Sequence, residues 1–222
     1  MAKLSMLISF SILSLLFIIS IMYYNNHQKN YLTAQQIVPT YVNVLPKQPT
    51  YCDFNLNPGW NLVSFFCLGM FVNRDEVLQP IEGHYVKIFS YNPTDSTDPW
   101  KSYNPTLPAW TVQQLNFMDR VSGYWIYMND STAYIYNGTS RSSVISLYYG
   151  WNLIGYPDNK SRLINESTSD LLFNIIRTYD NSSDSYKDYI KGAQNNALNY
   201  FDPYAGYWIN SSAIQSLMIN VS

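Results

Sequence analysis

The pentapeptide GWNLV at residues 59–63 occurs a second time, as GWNLI, at residues 150–154. A second motif follows each of them: the blocks LNFMD and GYWI, which begin at residue 115, return as LNYFD and GYWI from residue 198. Blocks that repeat in the same order along a chain indicate a duplicated structural unit. The sequence therefore predicts two tandem modules, a first copy at residues 51–140 and a second copy at residues 141–222.

Each module is predicted to be mainly β, with a minor α contribution. In the first copy, β-prone runs at residues 51–56 and 60–66 flank a Pro-Gly pair, which suits a turn with positive φ at the glycine. The runs at residues 123–128 and 132–136 are predicted to form a closing hairpin. Each copy is therefore expected to be a small sheet covered by a short helix.

The position of that helix is predicted from apolar spacing. In the second copy, apolar residues lie at helical spacing between residues 171 and 176, after a Ser-x-x-Asp pattern at residues 167–170 that resembles a capping box. In the first copy, Pro80 interrupts the equivalent segment at residues 75–82, so a single short turn is expected there.

The N-terminus predicts a membrane anchor. Residues 4–24 contain no charged residue, Pro or Gly, and as a helix they would span about 31 Å, close to the roughly 30 Å of a bilayer core. A cleavable signal peptide has a shorter apolar region and small residues at the cut. Residues 1–24 are therefore predicted to be a retained single-pass anchor in contact with membrane lipid, with the C-terminal part extracellular. Secretion after signal cleavage is the alternative.

Residues 25–50 have the composition of a stalk, with Asn, Gln and three prolines. Within them, residues 40–45 alternate apolar and polar side chains between two prolines and are predicted to form an extra strand. This strand has two possible partners. It either completes the sheet of the first copy, or it pairs with a sheet edge on a neighbouring molecule and builds a filament.

Cys52 and Cys67 are the two cysteines of the chain. A cysteine pair in an exported segment favours a disulfide. A two-residue turn before Trp60 would place them as diagonal neighbours about 7 to 8 Å apart, slightly far for a disulfide. A three-residue turn would place them on opposite faces. A disulfide is expected, and two buried free thiols are the alternative.

Asn-x-Ser/Thr sequons are frequent after the apolar run, and they predict N-glycosylation of an exported surface. The seven sequon asparagines are Asn129, Asn137, Asn159, Asn165, Asn181, Asn210 and Asn220.

Composition excludes several classes of function. A net charge of −2 and only 13% charged residues leave no basic face for nucleic acid. With two Cys and two His, a zinc finger or an iron–sulfur cluster is not expected. His84 is the single histidine of the predicted modules, and no nucleophile-elbow motif or Gly-rich phosphate loop accompanies it. No catalytic residue, metal site or cofactor is predicted.

Aromatic residues make up 17% of the chain. Trp60 and Trp151 occur in both copies of the repeat, so they are predicted to be buried core residues. Exposed Tyr and Trp side chains stack well on sugar rings. Trp110, Tyr148 and Tyr149, which the repeat does not match, are the candidates for such ligand stacking.

The GWNLV opening and the GYWI closing resemble modules found in exported surface proteins of archaea, archaeal viruses and some bacteria. The resemblance covers residues 51–222 and implies an extracellular, structural or adhesive module without catalytic residues. The second copy has Gly155 where such modules usually have a serine.

The sequence thus favours a non-enzymatic, membrane-anchored surface glycoprotein with a structural, adhesion or attachment role, whose partner is a glycan or a surface protein. An extracellular carbohydrate-binding module and a filament subunit assembled by strand exchange are the alternatives. An exported hydrolase is the least favoured.

Overall fold

The computed structural model describes residues 20–22, which are helical, and residues 50–221. These two parts belong to separate units of the chain, Met1–Lys47 and Gln48–Ser222. Most of the predicted anchor, nearly all of the predicted stalk and the predicted extra strand at residues 40–45 lie outside the described residues. Among the residues described, no helix is both long enough and apolar enough to cross a bilayer.

The first copy has eight strands and a short helical segment. In chain order they are β1 (Thr50–Leu56), β2 (Gly59–Val63), β3 (Val72–Asn73), an α-helix (Arg74–Leu78), a 3-10 helix (Gln79–Ile81), β4 (Tyr85–Tyr91), β5 (Trp100–Tyr103), β6 (Phe117–Met118), β7 (Tyr124–Met128) and β8 (Thr132–Gly138).

The second copy has the same order of elements, without the 3-10 helix. They are β9 (Ser143–Leu147), β10 (Gly150–Gly155), β11 (Arg162–Leu163), an α-helix (Ile164–Ser167), β12 (Phe173–Asp180), β13 (Ser185–Ile190), β14 (Tyr200–Phe201), β15 (Gly206–Ser211) and β16 (Gln215–Ile219).

The two copies also share one sheet topology. Each has a four-stranded antiparallel sheet, in the order β2-β7-β4-β5 in the first copy and β10-β15-β12-β13 in the second. Each also has a two-stranded ribbon of its first and last strands, β1-β8 or β9-β16, and a short pair, β3-β6 or β11-β14. The prediction of a mainly β fold with a minor helical part is confirmed.

The predicted hairpins are wrong, although their strands exist. β1 pairs with β8 and β2 pairs with β7, so the turn at Gly59 joins two different sheets. The Asn61 side chain explains this: its amide nitrogen donates to the carbonyls of Asn57 and Gly59, and its amide oxygen accepts from the Asn57 N–H. These bonds close the turn without strand pairing. Gly59 has the expected positive φ, at 85°.

The predicted helix at residues 171–176 is also wrong, because residues 173–180 form strand β12. The register of β12 against β15 shifts between Phe173 and Ile175, which marks a β-bulge. The bulge resets the alternation, so Phe173 and Ile176, three residues apart, are both buried. This spacing imitates a helical stripe. The helix of the second copy lies earlier, at Ile164–Ser167, and Ser167 Oγ donates to the Leu163 carbonyl instead of forming a capping box.

The disulfide prediction is confirmed, through a different geometry from the one expected. Cys52 lies on β1 opposite Tyr136, and Cys67 lies in the loop after β2. Their Cα atoms are 5.8 Å apart and their sulfurs are bonded. The Cys67 carbonyl also accepts a hydrogen bond from the Thr139 N–H, at 3.2 Å. The disulfide therefore ties the loop after β2 to the ribbon β1-β8.

Each copy has its own hydrophobic core beneath its four-stranded sheet. Equivalent tyrosines stand near the centre of each core, Tyr124 in the first copy and Tyr207 in the second, and both are buried. The Tyr124 hydroxyl accepts from the Asp119 N–H at 2.8 Å, and the Tyr207 hydroxyl accepts from the Asp202 N–H at 2.6 Å. The repeated LN-x-x-D and GYW blocks therefore determine the fold, because each tyrosine fixes the turn that precedes its strand.

The two copies meet through reciprocal contacts. Val63 at the end of β2 pairs with Ala205, and Ser122 pairs with Ile154 in the equivalent place. Gly123, the first glycine of GYWI, has no room for a side chain, since a Cβ would lie 2.7 Å from the Ile154 carbonyl oxygen. A Cβ on Gly206, the equivalent glycine of the second copy, would lie 2.8 Å from the Val63 carbonyl oxygen. The repeated glycines are therefore required by the junction, which brings the two four-stranded sheets side by side.

Candidate binding site: an aromatic groove shared by the two copies

The outer face of each four-stranded sheet carries the repeated tryptophans. Successive side chains of a strand point to opposite faces, so Trp60 lies on the face opposite Asn61 and Val63, which face inward. Trp60 is paired with Tyr127 on β7, and Trp125 lies two residues before Tyr127 on the same face. In the second copy, Trp151 and Trp208 have the corresponding places on β10 and β15.

The prediction that Trp60 and Trp151 are core residues is therefore wrong. Trp60 is only partly buried and Trp151 is 38% exposed. The motif turns its asparagine inward instead: Asn152 Nδ2 donates to the carbonyls of Tyr148 and Gly150 and closes the turn before β10, as Asn61 does before β2. An inward asparagine forces the preceding tryptophan outward.

Side chains from both copies line two adjoining cavities, which together we call the aromatic groove. The larger cavity, of about 660 Å³, is lined by Trp60, Phe89, Trp100, Trp125, Tyr179, Asp184 and Tyr186. The smaller one, of about 430 Å³, shares Trp100, Trp125 and Tyr186 and adds Tyr91, Trp151, Arg177 and Trp208. Three residues line both cavities, so the two cavities adjoin each other.

The ring contacts across the copies are reciprocal. Trp125 of the first copy contacts Tyr179 and Tyr186 of the second, with centroids 5.1 Å and 6.3 Å apart. Trp208 of the second copy contacts Tyr91 and Trp100 of the first, at 5.2 Å and 5.7 Å. The hairpin of each copy, β4-β5 or β12-β13, thus reaches the central tryptophan of the other. Neither copy alone provides the groove.

The two halves of the groove differ at one pair of equivalent positions. Phe89 lies on β4 opposite Trp125, and Arg177 lies on β12 opposite Trp208. The Arg177 guanidinium lies 5.5 Å from the Trp151 ring centroid, which is within the range of a cation–π contact. It also forms a two-point ion pair with Asp188, at 2.8 and 3.0 Å. At this pair of positions one half is therefore aromatic, whereas the other contains a neutralised cation.

Polar groups border the larger cavity at the tip of the β12-β13 hairpin. The Tyr179 hydroxyl donates to the Asp184 carboxylate, and this hydrogen bond, together with desolvation, raises the pKa of Tyr179 to about 12. Tyr179 is therefore a neutral phenol at neutral pH. On the same hairpin, the Lys187 ammonium 2.7 Å from Asp180 holds the pKa of that carboxyl well below its usual range.

The hairpin tip is also fastened to the first copy. Asn181 Nδ2 donates to the Pro58 carbonyl at 3.1 Å and to the Trp60 carbonyl at 2.7 Å. These two bonds hold the second-copy hairpin beside the turn that presents Trp60. The rim of the groove is therefore built by a contact between copies, like its floor.

The residues predicted to stack on a ligand lie elsewhere. Trp110, which is 84% exposed, lies between β5 and β6, and Tyr149 is exposed in the turn between β9 and β10. Tyr148 is partly buried beside that turn. None of the three lines the aromatic groove, and their role in stacking stays a prediction. Most of the groove residues that the sequence analysis missed share one signal: they are aromatic side chains on strand positions that do not face the core, on β4, β5, β12 and β13 and, for Trp125 and Trp208, on β7 and β15.

The sequons differ in accessibility. Five sequon asparagines are exposed: Asn129, Asn137, Asn159, Asn165 and Asn220. Asn181 and Asn210 are partly buried, and both side chains make hydrogen bonds, Asn181 to the turn before Trp60 and Asn210 to Asn174. Glycosylation stays a prediction, and the geometry favours the five exposed positions.

The side chains considered for chemistry do not converge. His84 Nδ1 lies 2.8 Å from the Asp130 carboxylate in an exposed pair outside the groove. Asp95 forms an ion pair with Lys101 at 2.6 Å. Within residues 20–22 and 50–221, no three His, Cys, Asp or Glu side chains are grouped as metal ligands would be.

Comparisons with protein-family models, curated proteins and solved structures found no match to this chain. The fold and the site define a tandem β-rich module with an open aromatic groove at the junction of its copies.

Proposed function

We propose that this protein is a non-enzymatic, membrane-anchored surface glycoprotein that attaches to a partner surface through the aromatic groove. The observation that carries the proposal is the convergence of aromatic side chains from both copies on one open groove. The apolar run at residues 4–24 supports anchoring, and the sequons and the disulfide support an extracellular body. The resemblance of the repeated motifs to exported surface modules agrees with this role.

The exposure of the groove favours binding over packing. Trp100 is 41% exposed and Tyr186 is 50% exposed, although both are large aromatic side chains. Exposed aromatic groups that adjoin one another on a soluble surface mark interaction sites, because water contact with them is unfavourable. A partner that covers these rings would remove that contact.

The lining of the groove favours binding over catalysis. Asp184 is the single carboxylate that lines the larger cavity, and Arg177 is the single charged residue that lines the smaller one. A glycosidase needs two carboxylates at a set separation on either side of the scissile bond. The groove residues offer one carboxylate, and its oxygen already accepts the Tyr179 hydroxyl.

Attachment can be tested with beads that carry the full-length chain through a C-terminal tag. The beads are incubated with envelope preparations of the cells that naturally make the protein. We expect beads coated with wild type to retain the envelope material. Beads coated with Trp125→Ala/Trp208→Ala should not retain it. Beads coated with Trp110→Ala, whose ring lies outside the groove, should retain it as wild type does. Equal retention of coated and bare beads would refute the proposal, and so would equal retention of the double variant and wild type.

A further inference from the structure

We infer that the ligand of the aromatic groove is a neutral oligosaccharide whose sugar rings lie on the aromatic side chains around Trp125 and Trp208. This inference rests on the proposed function, since it names the chemistry that the attachment surface recognises. It is carried by four properties of the groove: its mainly aromatic lining, its polar residues, its charges and its volume.

The lining is aromatic to an unusual degree. Of the seven residues around each cavity, six are Trp, Tyr or Phe, and neither set contains a Leu, Ile, Val or Met. A protein partner or an acyl chain is accommodated by mixed aliphatic and aromatic surfaces. A pyranose presents a flat face of C–H groups, which stacks on a flat ring. Flat rings without aliphatic neighbours therefore match a sugar better than a side chain or a lipid tail.

Polar groups are also available at the larger cavity. Asp184, Tyr179 and Tyr186, which each carry a polar group, are among its lining residues. Tyr179 donates to Asp184, so this carboxylate is already oriented and still has lone pairs that can accept from a sugar hydroxyl. An apolar floor with an oriented acceptor at its edge suits a ligand that has one apolar face and a polar rim.

The lining contains one cation, Arg177, and one carboxylate, Asp184, and Lys87 Nζ lies beside the lining, 5.1 Å from the Trp60 ring centroid. Arg177 is neutralised by Asp188 through two hydrogen bonds, so it is not a free partner for a carboxylate or sulfate on a sugar. An acidic ligand in the larger cavity would also meet Asp184. The groove is therefore suited to a neutral ligand.

The volume of the groove points to more than one sugar ring. Each cavity lies within the roughly 300–1,000 Å³ typical of small-molecule sites, and the two adjoin at Trp100, Trp125 and Tyr186. Trp125 of the first copy lines both cavities, and Trp208 of the second copy lines the smaller one. We therefore expect at least two linked sugars, with a tryptophan for each.

A quaternary ammonium group is a second ligand that aromatic residues bind, in a cage of ring faces. The rings of this groove pack against one another: Trp60 and Trp125 meet at 89° with centroids 5.9 Å apart, and Trp151 and Trp208 meet at 89° and 6.1 Å. Perpendicular rings are compatible with either ligand, so choline is titrated below as the competing ligand.

Isothermal titration calorimetry of the full-length protein tests the inference. The protein is kept in a polyoxyethylene detergent, which carries neither a sugar nor a choline group. The ligands are maltotriose, cellotriose, chitotriose, mannotriose and choline. We expect at least one trisaccharide to bind with a Kd below about 1 mM, and choline not to bind.

Variants locate the binding. Trp125→Ala and Trp208→Ala should each raise the Kd about tenfold, which is the typical effect of losing one aromatic contact. Trp110→Ala should leave the Kd unchanged. Trp125→Phe keeps a ring at the position and should retain most of the affinity, and thermal unfolding of each variant shows whether it is folded.

Three results would overturn the inference: no trisaccharide binding by wild type, binding of choline alone, or loss of trisaccharide binding in Trp110→Ala but not in Trp125→Ala. Periodate oxidation of the envelope preparation separates this inference from the proposed function. Bead attachment that survives periodate would refute the oligosaccharide and leave attachment intact. Absence of attachment would refute the proposed function, while the titration would still decide the ligand.

Discussion

Ser64 and Gly155 hold the same position in the two copies, but only Ser64 carries a side chain that bridges them. The N–H of each residue donates to a carbonyl of the other copy, Ser64 to Tyr204 at 2.7 Å and Gly155 to Val121 at 2.8 Å. Ser64 Oγ then donates to the Ala205 carbonyl and accepts from the N–H of the residue after Gly155. The single Ser64 side chain therefore makes the hydrogen bonds on both sides of the junction. This gives a structural reason why the second copy has Gly155 at the equivalent position.

The first prediction concerns Gly155, the glycine at this junction. A Cβ on Gly155 would lie 2.6 Å from the carbonyl oxygens of both Arg120 and Ser122. Gly155→Ala should therefore lower the free energy of unfolding by about 1–3 kcal/mol, as overpacking does, measured by urea denaturation. Gly69→Ala is the matched control, because the nearest atom to its Cβ belongs to the side chain of Val72. Equal stability of the two variants would mean that the junction is not closely packed.

The second prediction concerns the contribution of the disulfide to stability. Cys52 and Cys67 are 15 residues apart in sequence, and a loop of that size gives a disulfide contribution of about 3 kcal/mol in the chain-entropy account. The double variant Cys52→Ser/Cys67→Ser should unfold at lower denaturant concentration than wild type. Wild type in a reducing buffer should behave like the double variant. If reduction leaves wild type unchanged, the disulfide does not contribute to its stability.

The third prediction compares neighbours on β10. Leu153 is 4% exposed, and Leu153→Ala should cost about 2–5 kcal/mol, as other buried leucines do. Trp151 faces the open groove and is 38% exposed, so Trp151→Ala should cost less than Leu153→Ala, because part of the ring contacts water in the folded state. Chemical denaturation of both variants gives the comparison. A larger loss for Trp151→Ala than for Leu153→Ala would place the tryptophan in the core after all.

The fourth prediction concerns acid stability. The ion pair with Lys187 lowers the pKa of Asp180 in the folded state. Its stabilising contribution is therefore present above the unfolded pKa of about 3.9 and is lost as the pH falls through the lower folded-state value. Wild type should lose more thermal stability between neutral pH and about pH 2 than Lys187→Met does. If the thermal stability of the two proteins falls equally with pH, the ion pair does not contribute to stability in solution.

Much of the fold could be predicted from local pattern. The strand runs predicted at residues 51–56 and 123–128 match β1 and β7 to within one residue, because alternation and β-branched or aromatic content are local properties. The partners of β1 and β2 could not be predicted. Their pairing depends on the inward Asn61 side chain, which closes a turn that would otherwise read as a hairpin.

The groove could not be predicted because the repetition of its tryptophans in both copies suggested that they are core residues. A residue present in both copies reads as part of the core, on the assumption that each copy is complete by itself. Trp125 and Trp208 repeat for another reason: each copy supplies half of one groove, and Trp125 meets Tyr179 only when the sheets lie side by side. That arrangement is set by the junction around Ser64, which is a tertiary contact without a local signal.

The indole N–H resonances of the six tryptophans provide the most direct test of the groove. Five of them, Trp60, Trp100, Trp125, Trp151 and Trp208, line the groove, and Trp110 lies outside it. In ¹⁵N-labelled full-length protein, addition of the trisaccharide that binds most tightly should shift the indole signals of Trp125 and Trp208 and leave the Trp110 signal in place. A shift confined to Trp110, or no shift in any groove tryptophan, would contradict the account.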